Sequence, residues 1–313
     1  MSPCRRHEGG HMTFLVIGES IVDLIGSPGA WRFSAVPGGS PLNVAVALAT
    51  LGQPVRFASE IGGDFFGELL RDHLGRHGVG HGDLVPGGAT SLAFARIGAD
   101  GSASYDFRFD WRFSGPVSLD GVTCLHTGSL ATLAGPGAAH VREVMQAAAQ
   151  SGVVVSYDPN IRPSLIGDRE PALKLVEECV RLSRLVKVSA EDLAWLYPGE
   201  PDLDAATRWA AWPGERLVVV TQGGDGATAI LGDTVITCPA PVVDLVDTVG
   251  AGDTFTAAYL AVLGDGEFTV DRVRDALRRG CAAAAVVCTR EGAAPPSPQE
   301  IDGLLSSVSS IPV

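Results

Sequence analysis

Several kinds of segment are missing from this sequence of 313 residues. No stripe of Lys and Arg with interleaved aromatics runs through it, and 23 basic residues are outnumbered by 36 acidic ones, for a formal net charge of −13. A nucleic-acid partner is therefore not expected, because phosphate backbones are held by a concentrated basic surface. None of the six cysteines (Cys4, Cys124, Cys179, Cys238, Cys281, Cys288) belongs to a CxxC pair, and several fall in apolar segments that read as core. That pattern points to reduced thiols and a cytoplasmic location. The first apolar stretch, Phe14 to Gly18, is interrupted by Glu19 and then Asp23, too soon for a signal peptide or a membrane span. The phosphate-loop pattern GxxxxGK[ST] is absent, and no complete GxGxxG opens a helix, which excludes the two commonest glycine-loop solutions to nucleotide binding. An acidic chain also repels anions at long range, so any phosphate site has to work locally, through backbone amides and a metal.

What is present is a large apolar fraction, 46%, and 39 glycines, many set between apolar runs. Short β-rich runs at 13–18, 55–61, 152–158, 184–189 and 216–221 alternate with helical patterns. Such a rhythm predicts an α/β fold with a mainly parallel sheet and helices on both faces. Ser40, Pro41 and Gly52 read as N-cap, first helical residue and C-cap of a helix that carries Asn43 near its start. Two segments break the rhythm: 21–26, directly after the first strand, and 91–97, joined by a turn to 103–109. They read as hairpin strands of a small projecting sheet, spanning about 21–36 and 90–113. Residues 1–11 read as a loose leader, with Met12 a candidate start, and the terminal SSVSSIPV as frayed. No repeat or linker divides residues 12–313, which read as one domain.

The chemistry concentrates in DTVGAGDTF, Asp247 to Phe255, between the apolar, strand-like PVVDLV and a helical run. Gly250 and Gly252 let the backbone curl so that the amides of Ala251, Gly252 and Asp253 converge at a helix N-terminus, an anion hole for a phosphoryl group in transfer. Asp253 beside that hole is placed to accept a proton from an attacking hydroxyl. The plainer reading, a helix-capping aspartate, loses ground because capping alone has no need of both glycines.

DTVGAGDTF resembles the carboxy-terminal signature of the PfkB, or ribokinase-like, carbohydrate kinases. PGGSPLNVAVALATLG (37–52) resembles their amino-terminal signature and IGGDFFG (61–67) the segment that follows it. The resemblance implies a doubly wound, three-layer α/β/α domain with a small β-sheet lid, ATP and Mg²⁺ as co-substrate and cofactor, and sugar held between lid and sheet. It implies sugar contacts at Asp23, Gly38, Gly39 and Asn43, and at Phe107 and Arg108 on the lid. KVSAED (187–192) is similar to the segment whose acidic residue holds Mg²⁺ through water, here Asp192 in place of the usual Glu, with Ser189 on the nucleotide. TQGGDGA (221–227) resembles the loop that passes the nucleotide, giving Thr221, Gly223 and Gly226, with Gly250 and Gly252 on its phosphates. CAAAAVVCTREGA (281–293) resembles the helix and loop beside adenine, with Cys281 on the base. Asp247 and the Val249 carbonyl would hold a monovalent cation, K⁺.

SYDPNIRPSL and VKVSAEDLAWLY resemble bacterial fructokinases and 2-keto-3-deoxygluconate kinases more than ribokinases. Arg162 would hold either the transferring phosphate or a sugar acid's carboxylate. The fructokinase reading is preferred because ASYDFRFDW lacks the paired tyrosines expected for the acid, although Arg108 could substitute. A ribokinase-type activity and a sugar-binding regulator on a kinase fold remain alternatives, and the lid strands offer a homodimer contact. His7, Glu8 and His11 match HExxH, but two adjacent glycines make a poor helix and no third ligand is evident, so zinc is not expected. His73, His77 and His81 read as surface residues.

Overall fold

The computed structural model describes residues 13–26, 32–97 and 103–309. The leader at 1–11, with its HExxH match, and residues 310–313 lie outside the described residues. The chain enters as β1 (Phe14–Ile17), four fully buried apolar residues. Successive side chains point to opposite faces of a strand. Phe14 and Val16 accordingly join one core cluster, and Leu15 and Ile17 the other. A strand buried on both faces is what an α/β sandwich requires of its central strand.

After β1 come β2 (Ile21–Gly26), β3 (Phe33–Gly38), α1 (Ser40–Thr50), β4 (Val55–Gly62), α2 (Phe65–Arg76) and β5 (Leu84–Gly87). The hairpin of β6 (Ser91–Ile97) and β7 (Ala103–Arg108) leads to β8 (Cys124–Gly128), α3 (Leu130–Leu133), α4 (Gly137–Gln150) and β9 (Val154–Asp158). Then follow α5 (Pro163–Ile166), α6 (Arg169–Leu182), β10 (Leu185–Ser189), α7 (Ala190–Leu196), α8 (Asp202–Ala210) and β11 (Leu217–Thr221). The antiparallel β12 (Ala227–Leu231) and β13 (Thr234–Cys238) precede α9 (Ala251–Leu263), α10 (Val270–Val287) and α11 (Pro298–Ser309).

The main sheet runs in the order β13, β12, β11, β10, β9, β8, β1, β4, β5, parallel from β11 to β5. One core cluster packs α1, α9 and α10 on one face, and the other packs α4, α6 and α8 on the opposite face. A second sheet, ordered β3, β2, β6, β7, stems from the carboxyl end of β1. Its strands are inserted between parallel elements without a crossover helix, so they project from the sandwich instead of extending it.

Five local expectations change. Gly39, with φ of 103°, is the N-cap of α1, and Ser40 is its first helical residue. PVVDLV is not a strand: β13 already closes that edge of the sheet, and Val242 (99% exposed) and Leu245 (67%) lie in irregular chain beside the strand ends. Residues 109–113 leave the second sheet for the body, where Trp111 and Phe113 stack at 5.4 Å inside the core. His73 and His77 are half-buried, their rings 4.8 Å apart, and α11 carries the chain through Ser309 where fraying is expected.

Candidate functional site

The carboxyl ends of β9, β10 and β11 and the first turn of α9 face one cavity of about 680 Å³. Ligands of doubly wound sheets bind outside these strand ends, where loops are free to carry side chains. Ser189, Asp192, Thr221, Gly223, Gly226, Gly252 and Cys281 all line it. Local devices shape this region, and Gly250, expected on the phosphates, supports the lining without being part of it. Ser189 caps α7 by accepting from the Asp192 amide at 3.0 Å, which fixes Asp192 one turn above the strand. Gly226 has φ of 101°, and a Cβ there would lie 2.1 Å from the Cys238 carbonyl oxygen, so the turn admits only glycine. Gly250 adopts a left-handed φ of 76° immediately before α9, and a Cβ would meet that of Ala293 at 2.5 Å.

Of the three amides expected in the anion hole, two are available. The Ala251 amide is closed onto the Thr248 carbonyl at 3.2 Å, whereas those of Gly252 and Asp253 have no backbone acceptor among the described residues. Both belong to the first turn at the positive end of the α9 dipole, and Gly252 lines the cavity. No side chain caps this helix start.

Asp253 is buried, with Oδ1 accepting from Ser40 Oγ at 2.6 Å and Oδ2 from Asn43 Nδ2 at 2.8 Å. Burial raises its carboxyl above the ordinary range, and these two donors and the Lys187 ammonium oppose the rise. Asn43, expected on the sugar, therefore spends its amide on Asp253. The two signatures, about 200 residues apart in sequence, meet at this one carboxylate.

Asp23, Ala93 and Phe107 lie in register across β2, β6 and β7, so they share one face of the second sheet. Arg108 is registered with Leu92 and Val22 on the other face, where its guanidinium pairs with Asp106 at 3.2 Å. A one-residue alternation thus keeps Arg108 away from Asp23. Gly38 makes room for Asp23, since a Cβ there would sit 2.2 Å from Asp23 Oδ2, and Gly39 lets the chain pass the Glu19 carbonyl. Burial lifts the Asp23 carboxyl to about 6, and Glu19, more deeply enclosed, to about 7. The exposed Arg162 tempers both carboxyls through its charge while its own donor contacts the Ile161 carbonyl at 3.0 Å.

Asp247 joins the loop before α9 to the loop after α10, accepting from Val249 N–H at 3.1 Å and Gly292 N–H at 2.8 Å. Both its oxygens are thereby engaged by amides. Among the described residues no cluster of three His, Cys, Asp or Glu is gathered for a metal.

The sequence pattern of the pfkB family carbohydrate kinases matches residues 13–300. The chain belongs to this family. A fructokinase of Rhizobium leguminosarum bv. trifolii is 34% identical over 263 residues, 80% of this chain and 79% of that protein. Probable fructokinase-4 of Arabidopsis thaliana is 31% identical over 305 residues, 91% of each. Among solved structures, fructokinase with bound ATP from Xylella fastidiosa superposes with a TM-score of 0.84 at 26% identity, covering 95% of this chain and 99% of that one. Vibrio cholerae fructokinase bound to fructose, ADP and potassium gives 0.82 at 26% identity, with 95% and 100% covered. The protein is thus a sugar kinase close to the fructokinases, on the ribokinase-type α/β fold.

The kinase site also holds residues to which the matched segments assign no contact, although Ser40, Asp158 and Lys187 lie within them. Ser40, Glu19, Asp158 and Lys187 approach it from four separate segments. Lys187 carries a signal beyond its segment: a lone charge in the mainly apolar LVKVS.

Proposed function

We propose that this kinase transfers the γ-phosphoryl group of ATP to the primary hydroxyl of D-fructose, with Asp253 as general base. The observation that carries the reading is the buried Asp253 carboxylate at the mouth of two unpaired first-turn amides, fixed at both oxygens by α1. The relatives quoted above are fructokinases, and one was solved with fructose and ADP. The sugar lies between the Asp23 face of the second sheet, acting as a lid, and the strand ends. Asp253 exchanges its bond from Ser40 or Asn43 for the sugar hydroxyl, takes its proton, and the hydroxyl oxygen bonds to the γ-phosphorus as the bond to the β-phosphate oxygen breaks. The Gly252 and Asp253 amides receive the charge spread over the phosphoryl oxygens.

Buried carboxylates at Asp158, Asp192 and Asp253 against the single Lys187 ammonium leave the cleft short of positive charge, which fits a divalent cation. Asp192, with one oxygen on the Ile161 amide, would hold Mg²⁺ through water. When bound, Mg²⁺ neutralises the nucleotide's phosphates. The loops joined by Asp247 are the place for a monovalent cation, held by carbonyls such as that of Val249. Arg162 sits within the field of two carboxyls, Glu19 and Asp23, which disfavours a sugar acid as the substrate. Pairing of two copies through the second sheet, whose Phe33 is 52% exposed, belongs to the same proposal. Among the described residues no helix is long and apolar enough to cross a membrane.

The test is ADP release from ATP and Mg²⁺ with D-fructose, 2-keto-3-deoxygluconate, D-ribose and adenosine in parallel. Fructose should give the highest kcat/KM, and Asp253→Asn should lower kcat by about 10³-fold while fructose affinity persists. A sugar acid turning over faster would transfer the assignment to that substrate, and heat protection by fructose without any turnover would make the protein a sensor.

A further inference from the structure

Lys187 occupies the centre of β10, where Leu185, Val186 and Val188 are all fully buried. It is 4% exposed, and Nζ lies 2.9 Å from Asp158 Oδ2 at the end of the neighbouring β9. A buried ion pair is a poor source of stability, because desolvating two charges cancels much of their attraction and an apolar pair of equal volume serves a core as well. Its location suggests what else it does. A Cβ built on Gly252 would lie 3.0 Å from Lys187 Nζ, so the ammonium abuts the first turn of α9, one residue from Asp253. Lys187 also lines the nucleotide cavity.

The groups around Asp253 have opposed effects. Burial alone would drive the Lys187 ammonium down, but Asp158, then Asp192 and Asp253, hold it above its ordinary range and therefore charged. In return Lys187 favours the ionised form of Asp253, and Asp158 disfavours it. The buried His126 on β8 is pushed down to about 3 by burial and by Lys187, so it stands neutral, bonded to Ser156 Oγ at 3.0 Å. From α1 the neutral Ser40 and Asn43 bond the carboxylate, and from α7 Asp192 acts on the Lys187 ammonium.

We propose that Lys187, oriented by Asp158, is a positioning residue that keeps Asp253 an ionised proton acceptor beside the anion hole. The pair therefore sets the lower pH limit of turnover. This inference rests on the reading of Asp253 as the base. Asp158 does two things at once: it holds the ammonium in place, and its own charge partly offsets the ammonium's effect on Asp253.

The test reads the acid limb of kcat/KM for the best sugar of the panel, at saturating Mg-ATP, in Lys187→Met and Asp158→Asn. Lys187→Met should move the limb to higher pH by about one unit, and Asp158→Asn should move it to lower pH. Opposite displacements require charge coupling, since damage to packing has no reason to change sign with the charge removed. Limbs that stay in place, or move together, overturn the proposal. If Lys187→Met does not fold, Asp158→Asn decides alone, because its Asn side chain still accepts from the Asn160 amide as Asp158 does at 3.2 Å. A lowered limb then supports the coupling and an unmoved one overturns it. An active Asp253→Asn sinks the base reading itself, whereas an inactive one with unmoved limbs sinks only the role of the pair.

Discussion

Glu19 shows how much a single buried group contributes to the behaviour of this kinase. Its Oε2 accepts from the Ala131 amide at 2.9 Å, yet burial outweighs that bond and raises the carboxyl from 4.5 to about 7. A folded-state value above the unfolded one means that the native form binds the extra proton. The stabilisation is complete below about pH 4.5 and is lost as pH rises toward 7. The loss is on the order of 3 kcal/mol by pH 8. Glu19→Gln retains an oxygen for Ala131 and has nothing to titrate. Denaturant unfolding between pH 5 and 8 should therefore show the parent losing stability relative to the variant, and parallel curves would contradict the assignment. Asp23, raised to about 6 by burial, acts in the same sense over a narrower window.

Among elements, the turn from β11 into β12 is the most constrained part of the nucleotide side. Gln222 N–H donates to the Gly226 carbonyl at 2.8 Å, closing a short helical turn at Gly223–Asp225, and Gly226 passes under the Cys238 carbonyl. Gly226→Ala meets both a left-handed φ and a backbone contact that cannot yield cheaply. A loss of about 1–3 kcal/mol in urea unfolding is expected, with KM for ATP raised more than KM for sugar. The same loop was legible as GGDG in sequence, because glycines mark turns whatever the partner. PVVDLV was not legible: its apolar character suits a strand as well as a cavity wall, and only the closing of the sheet edge by β13 decides between them.

For the whole molecule, the second sheet is the exposed counterpart of the sandwich. Phe33 packs edge-on against Phe94 at 6.4 Å and still leaves half its surface in water. Sedimentation velocity should show a dimer for the parent and a monomer for Phe33→Lys, which places a charge on that surface. A monomeric parent would refute pairing through this sheet. The architecture itself was readable in advance: β-rich runs separated by helical periods permit little besides a parallel sandwich, and the two interruptions at 21–26 and 91–97 marked the extra strands. The return of 109–113 into the core was not, since Trp111 and Phe113 follow the strand pattern and only their stacking inside the body shows that they have left it.

Features that follow local rules were readable from the residues alone. Glycines with positive φ placed the turns at 226 and 250, apolar periodicity placed the sheet and its helices, and the order of two signatures identified the kind of kinase. Which distant groups share a field follows from the packing of the folded chain. Asn43 and Ser40 hold Asp253 because α1 packs against α9, Arg108 turns from the Asp23 face because of strand register, and Lys187 meets Asp158 because β9 and β10 are neighbours. Electrostatic coupling acts through space over a few ångströms, and spacing along the chain carries no record of it.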